Sequence, residues 1–436
     1  VKKTATFRVD NFSSFKIKML NWASQFNIFC FLDNHQYHFE SPAFECLLAV
    51  GSKRSVTAPA GDAFDRLKAF CGTGDAGWLF GHFGYDLKNE TEQLQSANFD
   101  GIGFPDLHFF EPDIVLQLTG NALTVHCAYE AEKIFDAISN FSCSPVGPQQ
   151  AVGLTNRISQ TDYIEIVEKL RGHILRGDCY EVNFCQEFFA EHAAIDPIAV
   201  YAKLSAVSPN PFSALYRYND KYCICASPER YLKKKGNRIV SQPIKGTAKR
   251  NLGDRQLDEV SKQHLVQSVK EKSENVMVVD LVRNDLNRVC KKGTVGVEEL
   301  FGIYSFPQVH QMISTIAGEV DDTVHWVDII RATFPMGSMT GAPKKRVMEL
   351  IELYERTRRG LFSGAIGYVC PGADFDFNVV IRSILYNAAS GYLSCQVGSA
   401  ITFASRAEQE YEECLLKASA IGSVLGDTTV TIKKQV

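Results

Sequence analysis

Four glutamates in two distant stretches restrict how this chain can fold. Glu271 and Glu274 lie in "KEKSENVMVVDLVRNDLNRV", within a helical stretch predicted from about Asp254 to Val289. Glu410 and Glu413 lie in "RAEQEYEECLLKASAIGSVL", also predicted helical, with Lys417 one turn further on. Residues at i, i+3 and i+7 share one helix face. Each pair is either a solvated acidic face or a functional one. The first pair borders "VMVVDLV", and the second runs into an apolar, tightly patterned helix. Carboxylates on buried helices are costly unless a cation or protons neutralise them. Two such pairs facing one another could hold a hard divalent ion. Mg²⁺ takes one or two carboxylates directly and keeps waters and substrate oxygens in its other positions.

The remaining composition suits a chain with a sizeable core. Its 436 residues are 45% hydrophobic and 22% charged, ordinary for a soluble globular protein. A formal net charge of −4 argues against nucleic-acid binding, which calls for a basic excess or stripe. "LKKKGNR" (Leu232 to Arg238) and "CKKG" (Cys290 to Gly293) adjoin glycine and read as solvated turns. The thirteen cysteines include no Cys-x-x-Cys pair, so reduced thiols in a cytoplasmic protein are expected. The stretch "VKKTATFRVDNF" has no apolar signal core. No apolar run nears the ~20 residues needed to cross a bilayer, so no membrane partner is expected.

Residues 1 to about 150 are rich in aromatics and alternating patterns. "HQYHFESP" and "WLFGHFGYDL" suggest strands and turns, and "FDRLKAFC" a short helix. "IVLQLTGNALTVHCAY" (Ile114 to Tyr129) predicts a hairpin about Gly120 and Asn121. "SNFSCSPVGPQQAVG" (Ser139 to Gly153) is the best linker candidate. Beyond it, Thr161 and Asp162 are expected to cap an amphipathic helix with Ile164, Val167, Leu170 and Ile174 on one face, ended by Gly177. "CYEVNFCQEFFAE" then alternates like a strand. Glu181, Asn183, Cys185 and Glu187 fall on one side, with Val182, Phe184, Gln186 and Phe188 on the other. Gln186 is thus either a satisfied core amide or a polar group facing a cavity. "SQPIKGTAKR" (Ser241 to Arg250) reads as a strand entering a tight turn. Its Lys245 is either a solvated turn residue or a nucleophile.

Ten stretches in order carry a resemblance: "CYEVNFCQEF", "ASPERY", "PIKGTAKR", "SENVMVVDLVRNDLNRVC", "FPQVH", "FPMGSMTGAPKKRVMELI", "GAIGYV", "VVIRSIL", "QVGSAIT" and "EQEYEECLLKA". Spread from about residue 160 to 422, they resemble the chorismate-utilising enzymes. That family includes anthranilate synthase, isochorismate synthase and component I of aminodeoxychorismate synthase. "FPMGSMTGAPK" together with "VDLVRND" is the most specific part; the N-terminal region matches chiefly through "GHFGYDL". Within the family, the lysine of "PIKGT" resembles the aminodeoxychorismate synthases, since anthranilate synthases typically read "PIAGT". Isochorismate and salicylate synthases typically carry a water-activating lysine, for which this chain is expected to have Gln186. That residue suits an amine or ammonia nucleophile.

The resemblance implies amination of chorismate at C4. An enzyme amine that attacks C2 expels the C4 hydroxyl as the double bond shifts. Ammonia attacking C4 then expels the enzyme amine, so two displacements place nitrogen at C4. Lys245 would be that amine. A free lysine, with a pKa of about 10.4, is almost fully protonated at neutral pH, and Mg²⁺ nearby together with desolvation would lower that value. Glu229, in "ASPERY", resembles the general acid for the departing hydroxyl. Glu274 and Glu413 resemble direct Mg²⁺ ligands, with Glu271 and Glu410 as outer-shell partners. Arg382 and Tyr368 resemble the residues that hold the enolpyruvyl carboxylate. The amides of Gly398 and Ala400 match a carboxylate-binding turn. Lys417 would help neutralise the dianion, and Gly246 and Thr247 are further expected substrate contacts.

Two positions depart from the family pattern. "VGSAIT" has Ala400 where glycine is usual, and Gln311 stands where many relatives have histidine, although His310 is retained. The fold implied is α+β: two antiparallel sheets packed as a sandwich, flanked by helices, with the site between the layers. Residues 1–150 would form an N-terminal subdomain, a region that holds tryptophan in some relatives. Residues 151–436 would form the chorismate-binding region, intertwined with it. No glutaminase elbow with a following His-x-Glu is found, so ammonia is expected from a separate glutamine amidotransferase subunit. No pyridoxal-phosphate lyase domain follows, so the expected product is 4-amino-4-deoxychorismate. Anthranilate synthesis, and a catalytically silent ligand-binding homologue, are the alternatives.

Overall fold

Alternation along the strands dictates two layers. In the strand Ile28–Asp33, Phe29 and Phe31 enter one core while Cys30 enters another. In Cys46–Val50, Cys46, Leu48 and Val50 side with the first core, and Leu47 and Ala49 with the second. Strands apolar on both faces need cover on both. The computed structural model describes residues 3–37, 45–72, 77–128, 130–142, 151–306 and 309–426. Among these, one sheet has twelve strands and the other ten. The two sheets pack as a sandwich around the second core. The first core fills the space between the larger sheet and the helices Gln160–Leu175, Pro197–Val207 and Ala407–Val424. The helices Val269–Asn287 and Trp326–Thr333 cover the smaller sheet.

The N-terminal strands continue both sheets into the rest of the chain. Ile28–Asp33 pairs antiparallel with Phe212–Tyr218, and Leu79–Phe83 pairs antiparallel with Ala365–Val369. The hairpin is present, joining Ile114–Thr119 to Ala122–Cys127 through Gly120 at φ +52°, a value that glycine adopts without steric cost. Residues 143–150, in the middle of the expected linker, lie outside the described residues, as do 38–42 of "HQYHFESP" and 307–308 of "FPQVH". The twelve described cysteines are all unpaired. Among the described residues no helix is long and apolar enough to cross a membrane.

Local expectations need three corrections. The helix at Gln160–Leu175 is capped by Ser159, whose hydroxyl accepts from the Asp162 amide. Thr161 and Asp162 are therefore already inside it. Its fully buried face is Tyr163, Ile166, Val167 and Leu170, while Ile164 and Ile174 sit at the edge. The stretch 254–289 is two helices, Arg255–Gln267 and Val269–Asn287. Ser268 breaks it, because its extended backbone lets its hydroxyl accept from the Glu271 amide and cap the second helix. Glu271 thereby lands in a first turn, where the helix dipole favours a carboxylate.

Candidate active site

A bulge decides where Lys245 goes. The strand Ile244–Lys249 pairs with Val309–Glu319, but its register slips between Ile244, opposite Ile313, and Thr247, opposite Gln311. Gly246 occupies the slip at φ +94°, and an added Cβ would meet Glu271 Oε2 and Leu265 Cδ1 at 3.1 Å. Bulges re-aim side chains. Here the Lys245 ammonium turns inward and donates to Glu181 Oε1 at 3.0 Å, with its side chain only 12% exposed. Lys245 is not a solvated turn residue. Burial alone would lower its pKa, but the carboxylates of Glu181, Glu274 and Glu229 outweigh burial and hold it above the ordinary lysine value.

Glu229 joins the strands Lys221–Ser227 and Arg230–Lys235 and is buried. Burial raises its carboxyl to about 7, against the opposing pull of the Ser338 hydroxyl, Lys245, Arg382 and the Ile244 amide. Arg382 stands at φ +50°, in the left-handed region that a non-glycine residue enters at a cost. Burial lowers its pKa, and Glu229 opposes that shift. Ser338 belongs to the "FPMGSMTGAPK" segment, which is tied to the strand Glu181–Ala190. Asn183 Nδ2 donates to the Ser338 carbonyl at 2.9 Å, and the Asn183 amide donates to the Thr340 carbonyl at 2.8 Å. Buried Arg359 clamps both sides, donating to the carbonyls of Met339 at 2.6 Å and Asn183 at 2.7 Å while paired with Glu355 at 2.6 Å.

The two acidic helices face one another. Lys270 Nζ lies 3.8 Å from Glu274 Oε1 and 3.9 Å from Glu410 Oε1, so one ammonium straddles both. Glu274 is buried, and its Oε1 accepts no hydrogen bond among the described residues. Burial raises its pKa to about 7, with Lys245 pulling it down and Glu181 pushing it up. Burial raises Glu271 as well. Glu413 goes the other way: burial raises it, but Lys417 at 2.7 Å, Lys270 and Lys245 bring it below the usual value. Glu410 is buried against the Ser399 hydroxyl. Among the described residues no three potential ligands close around a single point as a ready-made metal cage. Two hard oxygen donors on facing helices, one lacking a hydrogen bond, still match the one or two carboxylates that Mg²⁺ takes directly.

Other expected site residues are placed differently. Gln186 is five residues from Glu181 on one strand, so the two point to opposite faces. Its side chain follows Val182, Phe184 and Phe188 toward the helix-covered core, and among the described residues neither amide atom has a partner. The position beside Lys245 belongs to Glu181, which pattern reading left on a merely polar face. Tyr368 packs at a tilt against Trp78 and Phe80 and lines a cavity with Asp33, Arg230 and Asp376. Only Leu32, Asp33 and Asn34 of its lining come from residues 1–150, and neither Lys245 nor Glu181 lines it. Gly398 and Ala400 face Cys185 and Asn183 across the sheet. A Cβ on Gly398 would meet Cys185 Sγ at 2.4 Å, so packing alone requires that glycine. Lys417 donates to the Gly398 carbonyl at 2.7 Å and is half exposed. Ser338 is a further site residue missed in the sequence. Its only signal was membership of the most specific motif.

This arrangement has counterparts. A family described as chorismate binding enzyme matches residues 29–423. Aminodeoxychorismate synthase component 1 of Salmonella typhimurium is 34% identical over 348 residues, covering 79% of this chain and 76% of that protein. Anthranilate synthase component 1 of Cereibacter sphaeroides is 30% identical over 368 residues, covering 79% and 73%. Among solved structures, anthranilate synthase component I from Streptococcus pneumoniae TIGR4 superposes with a TM-score of 0.77 at 24% identity, covering 89% of this chain and 94% of that one. The matched region encloses Glu229, Lys245, Arg382 and all four acidic helix residues, and the chain belongs to the family of chorismate-binding enzymes.

Proposed function

We propose that this chain aminates chorismate at C4, as component I of an aminodeoxychorismate synthase, with ammonia delivered by a separate glutamine amidotransferase subunit. The observation that carries this reading is the inward-turned Lys245, in hydrogen-bond contact with Glu181 and electrostatically coupled to Glu229 and Glu274. A lysine so placed suits covalent attack on C2, the first of two displacements that put nitrogen at C4, whereas direct attack of ammonia on C2 leads to the 2-amino product. Glu229, near neutral pH partly protonated, supplies the proton for the departing C4 hydroxyl. Arg382 holds a substrate carboxylate through its planar fork. Glu274 and Glu413 would hold Mg²⁺, with Glu271 and Glu410 behind them, and the bound ion would polarise the ring carboxylate. Lys417, tied to Glu413, would orient that ligand.

Anthranilate synthesis is the second reading, favoured by the relatives that carry that name. The two are separated by product. The protein is incubated with chorismate, Mg²⁺ and an ammonium salt, then treated with a lyase that converts aminodeoxychorismate to p-aminobenzoate. Lyase-dependent p-aminobenzoate is expected. Fluorescent anthranilate without the lyase would establish the second reading instead, and no turnover would point to a silent binding homologue.

A further inference from the structure

We propose that Glu181 is the base that takes the proton from the Lys245 ammonium, so that Lys245 attacks as a free amine. This rests on the covalent-lysine reading above. Glu181 Oε1 sits 3.0 Å from Nζ, the hydrogen-bond contact a direct proton transfer needs. Its other oxygen, Oε2, is buried and accepts no hydrogen bond among the described residues, so none of them competes for the carboxylate. Glu181 also starts a strand pinned on both sides, by Ala342 across one edge and by the Val182–Ile401 pair across the other. A base held on a rigid element keeps its geometry.

The other carboxylates around Lys245 have different tasks. Glu229 faces Ser338 and the Ile244 amide and delivers a proton to the leaving hydroxyl. Glu274, Glu271 and Glu413 influence Lys245 from the two acidic helices but make no hydrogen bond to it among the described residues. Those charges favour the ammonium, so the lysine proton needs a defined destination. Loss to water would leave the Glu181 carboxylate buried without its cation, a costly state. Transfer to Oε1 leaves a neutral pair.

The step balances. One Nζ–H proton passes to Glu181 Oε1, and the freed nitrogen pair forms the Nζ–C2 bond. The ring double bonds shift from C1=C2 and C5=C6 to C1=C6 and C4=C5. The C4–O bond breaks with its electron pair, and the hydroxyl leaves as water with a proton from Glu229. When ammonia attacks C4, the shift reverses, the C2–Nζ bond breaks and Glu181 returns its proton to Nζ.

Single-turnover adduct formation tests this. Wild type, Glu181→Gln and Glu181→Asp are mixed with chorismate and Mg²⁺ without ammonia, quenched over time, and measured by intact-protein mass spectrometry from pH 6 to about pH 10, spanning the lysine range. Glu181→Gln is expected to slow adduct formation by about a hundredfold or more at neutral pH and to recover as the lysine deprotonates in alkali. Glu181→Asp, which keeps a carboxylate, is expected to retain much of the neutral rate. An equal or faster neutral rate in Glu181→Gln would overturn the assignment, because a carboxylate that only holds the ammonium lowers reactivity. A slow rate without alkaline recovery in a folded Glu181→Gln protein would overturn it too. Should that variant not fold, a Glu181→Asp rate that follows lysine titration alone would do the same. A wild type that forms no adduct would refute the covalent-lysine reading itself, whereas an adduct unaffected by both variants refutes only the role of Glu181.

Discussion

Lys270 on the helix Val269–Asn287 stands 3.9 Å from Glu410 on the helix Ala407–Val424, bridging two elements that meet nowhere in sequence. It also lies 3.8 Å from Glu274, so its ammonium occupies the ground between the expected metal ligands. Replacing it should therefore strengthen Mg²⁺ binding. Lys270→Met is expected to tighten the affinity roughly three- to tenfold at low ionic strength, a modest gain because the lysine is half exposed and screened. Titration calorimetry with Mg²⁺ alone checks this, and an unchanged or weaker affinity contradicts it.

The acidic residues themselves should be indispensable. Glu274→Gln and Glu413→Gln are each expected to abolish turnover at limiting Mg²⁺ while leaving the far-ultraviolet circular dichroism unchanged. Near wild-type activity in either would remove that residue from the metal site.

The proposed acid at Glu229 should set a pH limb. In the proposed reaction its protonated form is the active one, and burial raises its pKa to about 7. At constant free ammonia, chorismate turnover should fall about tenfold per pH unit once the pH passes well above that value. Glu229→Gln should lose the limb together with a hundredfold or more of the rate. A wild-type profile flat from pH 6 to about 9 would show that another group protonates the leaving hydroxyl.

Arg359 and Glu355 form a buried pair that holds the Ser338 segment against the Glu181–Ala190 strand. Removing one partner leaves an uncompensated buried charge. Glu355→Ala should destabilise the protein by about 3–5 kcal/mol, read from the midpoint of urea unfolding. The double variant Arg359→Met with Glu355→Met should be less destabilised than Glu355→Ala.

The sequence made some of this legible and hid the rest for physical reasons. The acidic pairs were readable because i, i+3 spacing fixes a helix face, and the hairpin was readable because Gly120 marks its turn. The site position of Glu181 was not. Period two put it on the same side as Asn183 and Glu187, but which side faces the other sheet depends on strands more than a hundred residues away. Gln186 was misplaced for the same reason: alternation gives two faces and does not say which one the site uses. The break at Ser268 was hidden because a serine within a helical pattern caps only when the backbone before it turns away. The bulge at Gly246 shows in sequence only as a lysine before a glycine, while its effect, aiming Lys245 inward, appears only in the pairing with Val309–Glu319.

Peptide-mapped mass spectrometry tests the covalent account most directly. Wild type is quenched after mixing with chorismate and Mg²⁺ in the absence of ammonia. The account requires an adduct with the mass of chorismate less one water, located on Lys245, absent from Lys245→Ala, and accompanied in that variant by loss of most C4 amination. An unmodified Lys245 under these conditions, with normal C4 amination by Lys245→Ala, would contradict it.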